Sequence, residues 1–317
     1  MSRRRFLAIV GAAAGLGAAG WVFERDRRPR HVWRGFALGG PARIVLLDGD
    51  SRRAQRLGAA VAGEIRRLER IFSLHDQGSE IARLNRDRRL DGPSLDMVAL
   101  LSSALQIASA TGGAFDPTIQ PLWRLLAQHF ARPDASPAGP PPRERAAALA
   151  LVGFEGVDVG ASRVVLGRRG AALTLNGIAQ GYIADRVAGR LRDAGLEAVL
   201  VDTGEIVAGK GPDEGAWSVQ AVRRLTVSDA AVATSSAAGT VFEPTGRFHH
   251  LIDPRSGACP AALSAVTVVA PTATRADALS TALAAARGDE ILPLARRAAG
   301  TEVHLAWPDG RVESIAT

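Results

Sequence analysis

The sequence predicts an α+β chain, with mixed or antiparallel sheets and packed helices forming one compact unit of two intimately associated lobes. Three observations carry this. Strand-like and helix-like segments alternate irregularly along the 317 residues, and the strand-like ones crowd into the second half. A doubly wound parallel sheet would alternate regularly. Neither a Gly-x-Gly-x-x-Gly after a first strand nor a Walker-type loop is present, so any dinucleotide is bound by other means. Apolar residues make up 47% of the chain, enough for a substantial core.

The elements follow in order. Arg43 to Asp48 (RIVLLD) reads as a strand. Ser51 can cap a helix running to about Ile71, with Leu57, Val61, Ile65 and Leu68 on its buried face and its Arg and Glu residues on the solvated one. Residues 94–111 read as a second helix, with Val98, Leu101, Leu105 and Ala108 inward and Gly112-Gly113 as its stop. The Pro-rich stretch 131–142 reads as a surface loop or linker. A strand is expected at Ala171–Leu175, a helix at Ala179–Asp193 and a strand at Ala198–Val201. Short strands are expected at 217–222, 231–235, 248–252 and 264–270. Helices at 276–286 and 289–298 and strands at 302–307 and 311–315 complete the chain.

Charge and cysteine content exclude some functions. The net charge is +7, but residues 1–30 hold seven arginines against Glu24 and Asp26, so the rest carries only +2. The body has no basic stripe, which argues against nucleic acid as a partner. Cys259 is the only cysteine, so an intramolecular disulfide and a Cys-based metal cluster are both impossible.

The N-terminus reads as an address. Ser2-Arg3-Arg4-Arg5-Phe6-Leu7 precedes an apolar run from Ala8 to Phe23, with small residues at Ala18-Ala19-Gly20. The paired arginines resemble a twin-arginine signal, whose cargo crosses the membrane folded. Residues 1–30 are therefore expected to be an export signal to the periplasm and 31–317 the working domain. The other reading of this run is an uncleaved inner-membrane anchor, which would be the protein's one link to a membrane.

Four segments can carry chemistry, and each also has a purely structural explanation. Phe72-Ser73-Leu74-His75, with Ser79-Glu80-Ile81 and Leu84-Asn85, could line a ligand slot or form a capped loop. Gly112-Gly113-Ala114-Phe115-Asp116-Pro117-Thr118 offers close backbone approach and an aromatic face, or a helix stop. Leu175-Asn176-Gly177-Ile178-Ala179-Gln180-Gly181-Tyr182 could present a helix N-terminus to a pyrophosphate, or be a close-packed turn. His249-His250-Leu251-Ile252-Asp253-Pro254-Arg255-Ser256-Gly257 is followed by a helix on which Asp277, Ser280 and Thr281 share a face. That carboxylate-and-hydroxyl set suits Mg²⁺, while an Asp in a first turn also simply suits the helix dipole.

In this order, from about Gly35 to the C-terminus, the segments resemble the ApbE family of FAD:protein FMN transferases. The resemblance implies an ApbE-like fold and a Mg²⁺ near the pyrophosphate of FAD. It implies transfer of the FMN half to a Ser or Thr hydroxyl of an acceptor protein, with release of AMP. Asp277 and Thr281 would then be side-chain ligands of the metal, with Gly177 and Ser280 giving main-chain carbonyls. Leu38, where the family usually has Met, would lie against the flavin, and His75, usually Tyr, would be a flat for a ring of FAD. Ala114, Phe115, Asp116 and Leu251 would also contact FAD. His250 would be the general base for the acceptor hydroxyl, a task suited to a pKa near 7 and worth roughly 10²–10⁴-fold. Strand alternation would decide between His249 and His250, and the motif register selects His250.

Three positions of the third segment depart from the family pattern: Thr174, Asn176, where the family usually has Gly, and Gln180. Thr174 replaces an acidic FAD contact, and Gln180 replaces a Lys that would carry charge near the phosphates. The Asn-Gly-Ile-Ala-Gln-Gly-Tyr form, with Asp202-Thr203-Gly204-Glu205-Ile206, resembles the subgroup associated with nitrous-oxide reductase maturation. That subgroup implies an exported enzyme with a membrane-bound, electron-transferring acceptor. The departures keep two alternatives open: an exported FAD-binding assembly factor without transfer, and an FAD pyrophosphatase giving FMN and AMP.

Overall fold

The structure is a computed structural model that describes residues 30–212 and 215–317. The expected export signal lies, apart from Arg30, outside the described residues. No helix among the described residues is long and apolar enough to cross a membrane.

The strands β1 (Arg30–Ala37) and β2 (Gly40–Leu47) form an antiparallel hairpin. Its turn residues, Leu38 and Gly39, both have positive φ (50° and 84°), as a two-residue type I′ turn requires. Helix α1 (Ser51–Phe72) is capped by Asp50, whose carboxylate accepts from the Arg52 and Arg53 N–H groups. Ser51 is therefore its first residue and not its cap. Val61, Ile65 and Leu68 are buried, matching the sequence period. Glu64 departs from the solvated face: it is 2% exposed. Arg67, at 2.7 Å, and Arg190, at 3.1 Å, compensate its charge from two different helices.

Helix α2 (Glu80–Asp87) and the short strand β3 (Arg89–Asp91) lead into α3 (Leu95–Ala110), capped by Ser94. Its buried stripe is Met97, Leu100, Leu101, Ala104 and Ala108, rotated from the expected face; Val98 and Leu105 are only half-buried. Two helices carry no clear sequence signal, α4 (Gln120–Phe130) and α5 (Pro142–Leu149). Pro142 stands in the first turn of α5, where a missing N–H costs nothing. The Pro-rich stretch is thus a loop only up to Pro141. It is packed as well, because Gly139 lies against the Phe248 ring.

Strands β4 (Val157–Val159) and β5 (Arg163–Leu166) pair antiparallel, and β3 pairs with β5. The expected strand at Ala171–Leu175 does not form. The segment is buried but joins no ladder. Instead the Asn85 amide brackets Leu173, accepting from its N–H at 2.6 Å and donating to its C=O at 2.9 Å. The Thr174 N–H donates to the Pro117 carbonyl. A side chain and a loop thus supply the hydrogen bonds that a neighbouring strand would have supplied.

Helix α6 (Ala179–Asp193) precedes strands β6 (Val199–Asp202), β7 (Ile206–Ala208), β8 (Trp217–Gln220), β9 (Arg224–Val227) and β10 (Ala230–Ser235). Residues 248–252 are not a strand either. They make one isolated bridge, Val241 with His249, and the His250 N–H donates to the Thr240 carbonyl. Strand β11 (Ala265–Ala270), helices α7 (Ala273–Ala285) and α8 (Gly288–Arg297), and strands β12 (Glu302–Ala306) and β13 (Val312–Ala316) follow.

The main sheet has the order β1-β2-β6-β7-β10-β11-β12-β13, and every neighbouring pair is antiparallel. Residues of β6 are buried throughout, because the sheet is covered on both faces. One face packs on α1, α6 and α7 through Ile44, Leu68, Ile183 and Leu283. The other packs Val45, Leu47 and Leu200 under the β8–β9 hairpin, centred on Trp217. A further cluster joins Leu122 and Leu126 of α4 to Phe242, Phe248 and Ile252. The candidate site lies where this cluster meets the main sheet.

Candidate functional site

A cavity of about 430 Å³ opens between these parts. That is a usual size for a small-molecule pocket, roughly 300–1,000 Å³. One rim is the β1–β2 turn, Leu38 to Pro41, followed by Phe72 to His75 at the end of α1. Ala114, Phe115, Asp116 and Trp123 form the far wall. Thr174, Gly177 and Gln180 meet Asp277 and Thr281 at one end, with Asp202 and Glu205 beside them. Gly239, Thr240, His250 and Leu251 close the remaining side. Every site residue expected from the sequence therefore lines this one cavity, except Ser280.

Local geometry explains each placement. The Leu38 N–H donates to Glu69 Oε1 at 2.9 Å, which steadies the left-handed turn at the rim. Gly112 and Gly113 end α3 with positive φ, and Gly113 N–H returns to the Ala108 carbonyl. That turn brings Ala114 and Phe115 to the wall. Asp116 has both oxygens engaged: Oδ1 with the Thr118 N–H and hydroxyl, Oδ2 with the Phe154 N–H. Burial pushes its carboxyl up while the Thr118 hydroxyl and N–H and the Phe154 N–H oppose this. Its carboxylate thus fixes the wall from behind.

The start of α6 supplies amide groups. The Ile178 and Ala179 N–H groups donate to the Leu175 carbonyl, and Gly181 N–H to Asp277 Oδ2 at 3.0 Å. The Gly177 and Gln180 N–H groups make no hydrogen bond among the described residues. The Gln180 side chain is spent: its amide donates to the Thr203 carbonyl, and the Thr203 hydroxyl donates back to the Gln180 carbonyl. It therefore locks the Asp202–Glu205 turn and offers no charge.

Asp277 is the fifth residue of α7, because the helix begins at Ala273 under a Thr272 cap. It lies beyond the first turn, so the helix dipole does not account for it. It is buried, and burial pushes its carboxyl up to about 7, helped by Asp185 and opposed by the Gly181 N–H. Asp185 itself accepts from the Ala273 and Thr274 N–H groups and holds the start of α7 in place. Ser280 is fully buried and outside the lining; its hydroxyl meets Ser235 Oγ at 2.8 Å and donates to the Asp277 carbonyl. Thr281 Oγ1 makes no hydrogen bond among the described residues, and a Cβ on Gly177 would lie 3.0 Å from it.

Two further acids border this end. Burial pushes Asp202 up to about 6, against the Gly204 N–H and the Arg43 charge. Glu205 is raised well above the usual carboxylate range, by burial first and then by Asp277 and Asp202, and its Oε2 is buried without a hydrogen bond. None of the three acids forms an ion pair among the described residues. This uncompensated negative field fits a hard divalent cation. No three His, Cys, Asp or Glu side chains converge on one point among the described residues. The donors that could hold a cation here are the Asp277 carboxylate and the Thr281 hydroxyl, with main-chain oxygens such as that of Gly177, which lines the same end. The Ser280 hydroxyl is turned away, leaving only its carbonyl for that purpose.

The two histidines separate clearly. His249 is buried away from the cavity, with Nε2 3.0 Å from the Pro260 carbonyl. His250 lines the cavity, with Nδ1 3.1 Å from the Thr240 carbonyl and 3.2 Å from its N–H. An Nδ1–H that donates to the carbonyl leaves the Nε2 lone pair for the cavity. Burial pushes His250 down to about 4, opposed by the Thr240 bond and aided by His249. The pKa near 7 expected of this base is thus not met: His250 is a weaker base, unprotonated throughout the neutral range. Trp123, Asp202 and Glu205 are lining residues to which the sequence reading gave no role. Glu205 stands inside a quoted motif, whereas Trp123 carries no signal beyond the face of an unrecognised helix.

Comparison with known proteins gives one consistent picture. The model of the ApbE family matches residues 38–305. A protein of Treponema pallidum named FAD:protein FMN transferase is 31% identical, covering 87% of this chain and 86% of its own. The ApbE protein of Thermotoga maritima superposes with a TM-score of 0.78 at 27% identity, covering 90% of this chain and 96% of its own. The apo flavinyl transferase ApbE of Pseudomonas stutzeri gives 0.76 at 27% identity, over 92% and 97%.

Proposed function

The chain belongs to the ApbE family, and we propose that it transfers the FMN half of FAD to a serine or threonine hydroxyl of an acceptor protein, releasing AMP. The observation that carries this is convergence. Segments near 38, 75, 115, 177, 250 and 277, far apart in sequence, line one cavity that is apolar on its walls and acidic at one end.

In the reaction, the acceptor hydroxyl oxygen attacks the FMN phosphorus of the pyrophosphate. A new P–O bond forms, the bond from that phosphorus to the bridging oxygen breaks, and AMP leaves with the bridging oxygen. The hydroxyl proton passes to His250 Nε2, which the Thr240 carbonyl orients through Nδ1. Leu38, Phe115 and Leu251 supply apolar surface for the flavin, and His75 a flat at the rim. The free N–H groups of Gly177 and Gln180 face phosphate oxygens at the start of α6. Mg²⁺, held by Asp277, Thr281 and the Gly177 and Ser280 carbonyls, would neutralise charge on the pyrophosphate.

The proposal extends to location. Residues 1–30 act as a twin-arginine signal, the acceptor is an exported protein, and the subgroup motif points to a membrane-bound, electron-transferring one. The test is to incubate the enzyme with FAD, Mg²⁺ and an exported flavin-carrier domain. A fluorescent acceptor band with AMP release supports the proposal; FMN appearing free in solution, or FAD bound without turnover, contradicts it.

A further inference from the structure

The rim of the cavity has an uncovered neighbour. Strand β1 is an edge of the main sheet, so one side of its backbone has no partner strand among the described residues. Its outer face alternates Arg30, Val32, Arg34 and Phe36, all exposed. Phe36 is 70% exposed and Val32 37%. On the paired strand the same face carries Pro41 opposite Phe36 and Arg43 opposite Arg34. Farther along, Val45 and Leu47 go under the β8–β9 hairpin, but that cover stops short of the turn. Pro41 is also part of the cavity lining, so the patch and the mouth share a residue.

The charge here is unusual. Two arginines stand directly opposite each other on neighbouring strands, a pairing that destabilises a sheet on its own. Neither makes a hydrogen bond or ion pair through its side chain among the described residues, and Arg43 Nε is buried without a partner. Asp202 stands opposite Arg43 on β6 and feels its charge without forming an ion pair with it. A carboxylate placed on the exposed Arg34 guanidinium would relieve the repulsion.

We propose that this corner of the β1–β2 hairpin docks the acceptor protein, through an extended acidic-and-apolar segment next to the modified hydroxyl. The segment sets an Asp or Glu against Arg34 and an apolar side chain on Phe36 and Val32. Its backbone lies along the open edge of β1, as in strand addition to an exposed sheet edge. From Pro41 it leads over the rim toward His250. The inference rests on the transfer reading above and adds how the acceptor is chosen.

The experiment titrates a purified domain that the wild-type enzyme labels with FMN, at saturating FAD, against the Arg34→Glu and Phe36→Ser variants. The expected result is a KM for the domain raised about tenfold or more in each variant, with kcat and FAD affinity unchanged. Reversing the acidic residue of the domain to Arg should restore labelling by Arg34→Glu but not by Phe36→Ser. The wild-type KM should rise with salt, and less so in Arg34→Glu. Unchanged KM in both variants overturns the docking site while leaving transfer intact. Loss of a dimer in Phe36→Ser with unchanged KM assigns the patch to a second copy of the chain and also overturns it. If the wild-type enzyme labels no domain, the transfer reading itself fails and takes this inference with it.

Discussion

Gly177 stands so close to Thr281 that a Cβ at 177 would lie 3.0 Å from the threonine hydroxyl oxygen. The absence of a side chain is what lets the turn before α6 meet the middle of α7. Gly177→Ala should fold, because the neighbour to be displaced is a single side chain, at a cost of about 1–3 kcal/mol. Moving Thr281 should raise the Mg²⁺ concentration for half-maximal transfer by roughly 10–100-fold. The check is activity against Mg²⁺ concentration, with thermal unfolding as control.

Cation affinity should depend on pH through Asp277. Its carboxyl is raised to about 7, so below that pH a proton occupies the group that the cation needs. Affinity should therefore rise with pH up to about 7 and then level off, and binding near pH 6 should release a proton. Titration calorimetry in two buffers of different ionisation enthalpy measures that proton. Asp277→Ala should abolish activity and the Mg²⁺ response together; activity persisting in chelator would remove the site.

Rate should respond to pH in a way that an ordinary histidine would not allow. His250 is held down to about 4, so it is already unprotonated at pH 6. The acid limb of kcat/KM attributable to His250 should fall nearer pH 4 than 6.5, leaving no His250 step between pH 6 and 8. His250→Ala should lose roughly 10²–10⁴-fold in transfer with FAD binding retained. Unchanged transfer would remove the base.

Asn85→Ala tests how the segment before Gly177 is held. It strands the Leu173 N–H and C=O inside the protein, each worth about 1–3 kcal/mol when unsatisfied. The denaturation midpoint should drop, with the slope unchanged. FAD affinity should weaken, because Thr174 and Gly177 follow directly.

Much of this was legible in the sequence where the signal is local. Helix α1 announces itself by period, and the family segments name most of the residues around the cavity. Where the deciding partner is distant, the sequence misleads. Ala171–Leu175 looks like a strand because it is apolar, yet Asn85 supplies its hydrogen bonds. Glu64 looks solvated until Arg190 arrives from α6. By spacing alone Asp277 also reads as a dipole residue, until the start of α7 at Ala273 excludes that. The weak basicity of His250 belongs to its burial, which no motif records.

The central claim is tested most directly by mass spectrometry of an exported flavin-carrier domain after incubation with the enzyme, FAD and Mg²⁺, with AMP measured alongside. The expected result is one FMN on a Ser or Thr of the domain for each AMP released, lost in both His250→Ala and Asp277→Ala. AMP accompanied by free FMN and an unmodified domain would contradict it.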